Sequence, residues 1–459
     1  MDRRRTGIWL ILTATLASLL VTSAQAADQP PPSARVVIAV VEDAVNVYHR
    51  DFRDESRRSH PSETISTYPR SARRLELTFG KRDLEEAIVA DQEKWAGLIP
   101  GQLYFLPRTK FVGLVYLPNS LDATTTQVEA TYPPPAREPL PVVDGYTYHG
   151  TGVASVAAGT QYGTCPRCDL VIVAADNPED GLAWAAKQPW IDIVNNSWGG
   201  PLGAPTQVAA SQPQRAADSG PSPASLAAAA TGKVVVFASG NGLTGLGAMT
   251  RGTQHSLTWA SPFAGPDWVL TVGASKARTG QPTDWHNIPV DVIAQGEERP
   301  AADNDTVDGE MTFVGTSSSA PVAAGVLGAA LLRAREALGD RGVGARGGAL
   351  LTTAVARAQG PLTDRRLTYV ELMQAAKSVA QWKDFDPSTV ASDPLQAFVT
   401  PTTDASFAYQ GYGVLDRESV GPLTDVLLGR QPQPARPEMT EWDVLDRQVR
   451  TARWGTAPS

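Results

Sequence analysis

Three short segments, far apart in the chain, carry residue types able to make and break an acyl bond. Gly315-Thr316-Ser317-Ser318-Ser319-Ala320-Pro321 opens an apolar stretch that reads as a helix to about residue 338. A serine there lies at a helix N-terminus, where unpaired backbone N–H groups and the positive end of the dipole stabilise charge developing on a carbonyl oxygen. The plain alternative is that Thr316 or Ser317 only caps the helix. A serine hydroxyl is a weak nucleophile near neutral pH and needs a base within hydrogen-bond reach. His149-Gly150-Thr151-Gly152-Val153-Ala154 supplies an imidazole at the head of a second helix whose small residues allow close packing. In the third segment, Val234-Val235-Val236-Phe237-Ala238-Ser239-Gly240-Asn241, a buried strand runs into a turn whose carboxamide can donate to an oxyanion. An Asn-Gly turn alone is common and says little.

Such residues must be held by regular elements, and the chain shows a repeating order of them. Short β-branched runs at 36–41, 170–174, 191–194, 234–238 and 269–272 are apolar on both parities, as strands covered on both faces are. Helix candidates lie between them at 150–158, 181–187 and 225–231, the last stopped by Gly232. Strand alternating with helix predicts an α/β fold, a three-layer sandwich with a mostly parallel sheet and right-handed crossovers. In such sheets ligands gather outside the carboxyl ends of the strands. Residues 53–148 break the rhythm with a charged helix candidate at 83–95, an extended patch at 103–117 and a Pro-rich connector at 132–141, and read as a large insertion. Residues 340–350 read as a flexible loop by composition, and 430–459 as a disordered tail.

Composition bounds the rest. The 459 residues are 42% hydrophobic and 19% charged, enough apolar material for a sizeable core and too apolar a mixture for a wholly disordered chain. The net charge of −8 leaves no basic excess to draw the chain to nucleic acid. Arg3, Arg4 and Arg5, an apolar run over 8–21, and Ala24-Gln25-Ala26 read as a secretory signal peptide at 1–26. The run is shorter than a membrane span and is interrupted by Thr13, Thr15 and Ser18. Cleavage lowers the net charge to −10 and predicts an acidic, secreted protein of the extracellular space or cell envelope, without a stable membrane anchor. Two cysteines, Cys165 and Cys168, are too few for a four-thiolate zinc site. An oxidising compartment would let them pair across Cys-Pro-Arg-Cys; two free structural thiols are the alternative. His49, His60, His255 and His286 are scattered, with no helical His-x-x-x-His pair to suggest a metal hydrolase.

Taken together, the three chemical segments resemble the subtilisin-like (subtilase) serine peptidases. The family's His-Gly-Thr-x-Val-Ala pattern matches at His149 to Ala154, its Gly-Thr-Ser-x-x-x-Pro pattern at Gly315 to Pro321, and its strand-Gly-Asn pattern at Val234 to Asn241. Asn195-Asn196-Ser197-Trp198-Gly199-Gly200 resembles the family's substrate-lining strand, and Gln410-Gly411-Tyr412-Gly413-Val414-Leu415 its closing turn. The resemblance covers 36–428, apart from the insertion, as a catalytic domain. It implies an endopeptidase acting through an acyl-enzyme on Ser317, with His149 as base and then acid. Asn241 and the Ser317 N–H would form the oxyanion hole. Ser197, Trp198, Gly199 and Gly200 would line the site, where bare glycine backbone lets an extended peptide or protein substrate add as a strand. The chemistry needs no cofactor; relatives often hold structural calcium, but no Asp-rich loop locates a site here.

The pattern departs from the family at the acid. The strand that should end in Asp reads Val40-Val41-Glu42-Asp43-Ala44, which leaves Glu42 and Asp43 as competing partners for His149, with Glu42 in the strict register. Strand side chains alternate faces, so only one can point at the imidazole unless the strand end is bulged. A poorly held histidine would give a catalytically weak fold kept for peptide binding or assembly, the second functional expectation. With about ten residues between the expected signal cleavage and the first strand, the segment 53–148 is expected to take over part of a prodomain's shielding role.

Overall fold

The computed structural model describes residues 34–42, 44–118, 149–199, 222–241, 260, 263–287, 289–384 and 405–435. The described residues fall in one compact unit, Ala34–Ser459. Its strands are β1 (Val37–Glu42), β2 (Arg73–Arg74), β3 (Tyr104–Phe105), β4 (Phe111–Leu117), β5 (Asp169–Ala175), β6 (Ile193–Asn196), β7 (Val234–Ala238), β8 (Val269–Ser275) and β9 (Val292–Gln295). They form one sheet in the order β2-β3-β4-β5-β1-β6-β7-β8-β9. Every pairing is parallel except β3 with β4. This is the expected α/β architecture. The runs apolar on both parities are buried along their whole length in β1, β5, β7 and β8.

Between and after the strands lie α1 (Leu84–Ala90), α2 (Gln92–Ala96), α3 (His149–Ala158), α4 (Pro178–Ala186), α5 (Pro223–Ala230) and α6 (Thr316–Leu338). The charged helix expected at 83–95 is two helices; Asp83 caps the first by accepting the Glu86 N–H at 3.0 Å. The extended patch at 103–117 belongs to the central sheet. β4 runs parallel to β5 from Phe111 to Leu117 and covers what would otherwise be an open edge.

Chain order reverses around β1, which has β5 on one side and β6 on the other. The crevice outside the carboxyl ends of β1 and β6 is therefore the place where this topology leaves room for a ligand. Glu42 ends β1, and Ser197 follows the last residue of β6.

The far end of the layer is fastened by a buried ion pair. Arg335, near the C-terminus of α6, donates to both carboxylate oxygens of Asp192 at 2.6 and 3.1 Å, and to the carbonyl of Arg35 at 2.6 Å; both side chains of the pair are fully buried. Asp192 also accepts the N–H groups of Val37 at 3.0 Å and Gly344 at 2.8 Å. The loop at 340–350 is thus not the free segment its glycines suggest. Arg346 pairs with Asp340, and Ala349 and Leu350 are fully buried.

Candidate active site

Glu42 leaves the end of β1 with its side chain 5% exposed, and its Oε2 lies 2.8 Å from Nδ1 of His149 at the start of α3. Asp43 lies outside the described residues. The approach depends on the residue after the histidine. A Cβ on Gly150 would sit 2.1 Å from the Ala44 carbonyl oxygen and 3.1 Å from Glu42 Cβ, so a larger residue would push the helix off the strand end.

The helix is pinned at both ends. Near its start, Thr151 Oγ1 accepts the Asn46 N–H at 2.8 Å and donates to Asn304 Oδ1 at 2.7 Å. Fully buried Asn46 then gives its amide protons to the carbonyls of Asn304 at 3.0 Å and Thr306 at 2.7 Å. Near its end, Ser155 donates to the buried Asp51 carboxylate at 2.6 Å, and the same carboxylate accepts the Gln161 N–H at 2.6 Å. The segment after Glu42 therefore grips both the histidine helix and the turn between β10 (Arg299–Ala302) and β11 (Glu310–Phe313). β11 brings Phe313 edge-on to the His149 ring, with centroids 5.7 Å apart and planes at 72°. Neither Asn46 nor Phe313 carries a local sequence signal. Phe313 stands four residues before Ser317, which is the one hint available.

Ser317 lies in the first turn of α6 and is 7% exposed. The N-cap is Gly315, at φ 114°, with no side-chain cap, so the reading of Thr316 or Ser317 as the cap does not hold. Thr316 instead ties the turn to β7. Its N–H and its hydroxyl both donate to Asn241 Oδ1 at 2.8 Å, and its Oγ1 accepts the Gly240 N–H at 3.1 Å. A backbone N–H can only donate, so this contact fixes the carboxamide: Oδ1 is occupied by Thr316, and Nδ2 is the end that donates elsewhere. The Ser317 N–H belongs to the first turn, where helix geometry supplies no acceptor.

Pro321 explains a further contact. An α-helix pairs the N–H of residue i with the carbonyl of i−4, and proline has none to give, which frees the Ser317 carbonyl. The Ser197 hydroxyl takes it at 3.1 Å and itself accepts the Asn195 side-chain amide at 3.0 Å. In return the Ser317 hydroxyl donates to the Ser197 carbonyl at 3.0 Å. A hydroxyl has one proton, so giving it to any other acceptor requires the bond to the Ser197 carbonyl to be broken first.

Trp198 is half-buried, its ring edge-on to Phe237 and Phe263 at 5.0 and 5.2 Å. Gly199 follows at φ 127° and is exposed, while Gly200 lies outside the described residues. The structure thus brings Glu42 to His149 at the carboxyl end of β1, Ser317 to Ser197 just past β6, and Thr316 to Asn241 just past β7. Other described histidines serve elsewhere. His49 is buried with Nε2 2.8 Å from the Gly309 carbonyl, and burial lowers its pKa. His286 is locked between Thr283 and the Tyr409 carbonyl. His255 lies outside the described residues. Among the described residues no group of three His, Cys, Asp or Glu side chains could hold a metal ion.

The family model described as the Subtilase family matches residues 33–369. The chain belongs to the subtilase family. Members are serine peptidases, and their substrates are peptides or proteins. No curated protein sequence matches this subtilase. Among solved structures it is similar to the prenylagaramide maturation protease PagA, at 15% identity over 85% of this chain and 94% of that one, with a TM-score of 0.42. A serine-to-alanine mutant of the protease domain of PatA gives 15% identity, 86% and 98% coverage and a TM-score of 0.43. A cold-adapted subtilisin-like serine proteinase gives 16%, 76% and 83%, and 0.35.

Proposed function

We propose that this subtilase is an exported endopeptidase that cleaves peptide bonds through an acyl-enzyme on Ser317. The observation that carries the reading is the 2.8 Å contact between Glu42 and His149 Nδ1. A carboxylate there holds the proton on Nδ1, leaves Nε2 as the base, and stabilises the imidazolium that forms.

An extended substrate laid along 197–199 as an added strand would offer a backbone N–H to the Ser197 carbonyl. That displaces the Ser317 hydroxyl from its resting acceptor and turns it toward His149. Oγ then bonds to the scissile carbon as its proton moves to His149. The oxyanion is held by the Ser317 N–H and Asn241 Nδ2. Collapse breaks the C–N bond, with His149 returning the proton to the leaving amine, and a water repeats the sequence to free the acid. The Cys165–Cys168 disulfide supports export, because such bonds persist in oxidising compartments. Among the described residues no helix is long and apolar enough to cross a membrane. The expected signal peptide lies outside the described residues.

A fluorophosphonate probe tests the chemistry. Wild type should be labelled and should cleave a denatured protein substrate, and Ser317→Ala should do neither. An unlabelled, folded wild type would leave only the peptide-binding reading. N-terminal sequencing of protein from the culture medium should begin at Ala27.

A further inference from the structure

Away from the crevice, a cavity of about 230 Å³ opens between the segment after β1 and the turn before β11. We propose that it is a binding site for an oxyanion group, a carboxylate or a phosphate, held by Arg50, Arg53 and Lys81. The proposal is independent of the peptidase reading.

Three of the lining side chains are cationic and one, Glu55, is anionic, in a chain whose net charge is −8. Tyr48 and Val307 form the apolar part of the wall. The volume falls below the roughly 300 Å³ at which whole organic ligands begin to fit, and suits a single small charged group. Arg53 is already oriented for such a group. Its planar guanidinium lies 3.5 Å from the centroid of the Phe79 ring, with one terminal nitrogen already donating to Glu55 and the two terminal nitrogens forming the fork that an anion would share. Arg108 approaches the same ring at 5.2 Å, so two guanidinium groups crowd one aromatic side chain.

Their charge is answered by carboxylates at the surface: Glu76, half exposed, stands 3.9 Å from Arg108. Glu55 pairs with Arg53, but it is more than half exposed and is also drawn to Arg58 at 3.6 Å. The Arg53 Nε is buried and makes no hydrogen bond. Burial lowers the Arg53 pKa, and Arg108 adds to the effect against the opposing pull of Glu55. Arg50 meets Asp308 at 2.8 Å and Lys81 meets Glu86 at 3.9 Å, both in exposed pairs of the kind that hold a side chain only weakly. Both can swing to a bound anion. A multidentate oxyanion would satisfy the Arg53 fork and neutralise the crowding at Phe79 together.

Isothermal titration of the full chain, at constant ionic strength set with chloride, tests this with two probes, inorganic phosphate and glutarate. Saturable binding of either supports the site. Tighter phosphate assigns a phosphate-bearing ligand, and tighter glutarate a carboxylate-bearing one. The Arg50→Gln/Lys81→Gln double variant, whose substitutions lie at exposed positions, should bind about tenfold or more weakly with an unchanged melting curve. Arg53→Lys, which keeps the charge and loses the fork, should fall between the two. Heats of dilution alone with both probes, or equal affinity in wild type and the double variant, overturns the proposal.

Discussion

Oε2 of Glu42 and Nδ1 of His149, 107 residues apart in sequence, stand 2.8 Å from each other where β1 ends and α3 begins. Replacing the carboxylate by a carboxamide keeps the shape and removes control of the imidazole tautomer. For Glu42→Gln the expected loss in kcat is on the order of 10⁴, with KM changed far less. Asp43→Asn should leave kcat within a few-fold of wild type. Steady-state peptide cleavage by the two variants checks this, and equal effects would remove Glu42 from its assigned role.

Asn241 is expected to act through its nitrogen, since its oxygen is held by Thr316. Asn241→Asp preserves that acceptor and replaces the donor by an oxygen. kcat should drop by at least about 10²-fold, the cost of a lost oxyanion donor. Thr316 should remain tied, so the melting temperature should move little. A calorimetric scan run beside the kinetics separates the two effects.

The Ser197 hydroxyl substitutes for an N–H that Pro321 lacks. Ser197→Ala leaves the buried Ser317 carbonyl without a donor and should cost about 1–3 kcal/mol of stability. In a Pro321→Ala background the new backbone N–H can fill the position. The same substitution should then cost about 1 kcal/mol less, a coupling that a double-mutant cycle in urea would reveal.

Burial pushes His286 down to about 4 from an ordinary value of 6.5. The folded ring stays neutral with both nitrogens engaged, while the unfolded chain takes up a proton below pH 6.5. Its contribution is complete above pH 6.5 and is lost as the pH falls toward 4. By pH 5 the loss relative to pH 8 should be about 2 kcal/mol from this residue alone. Denaturant unfolding at the two pH values should show a smaller difference in His286→Gln than in wild type.

How far the sequence disclosed this arrangement varies by element. Strands buried on both faces announce themselves through runs apolar on both parities, so β1, β5, β7 and β8 were legible to within a few residues. β6 lies two residues later than its apolar run suggested, because Asn195 and Asn196 are polar yet buried, Asn196 through a hydrogen bond from its side chain to the Val236 carbonyl. β4 was legible as extended, but its partner was not, since nothing local to Phe111–Leu117 encodes pairing with a strand some sixty residues later. The loop at 340–350 misled for a different reason. Its glycines read as freedom, whereas Asp340 from within and Asp192 from outside fix its backbone. Motif spacing named Ser317, His149 and Asn241, but left Glu42 and Asp43 open. It was silent on Asn46 and Phe313, whose partners are remote in sequence, the β10–β11 turn for the Asn46 amide and His149 for the Phe313 ring.

The helix that carries Ser317 is bolted at both extremities to the same short strand region, by Ser197 at one pole and by Asp192 at the other. Between Ser317 and Arg335 it spans about 27 Å. Its position along its own axis is therefore set by a charge pair that never meets substrate, much as the pitch of a string is set at the peg. Disturbance of Arg335 or Asp192 should detune cleavage even in molecules that remain folded, and a screen for altered turnover would find its hits at the base of the molecule as well as around the crevice.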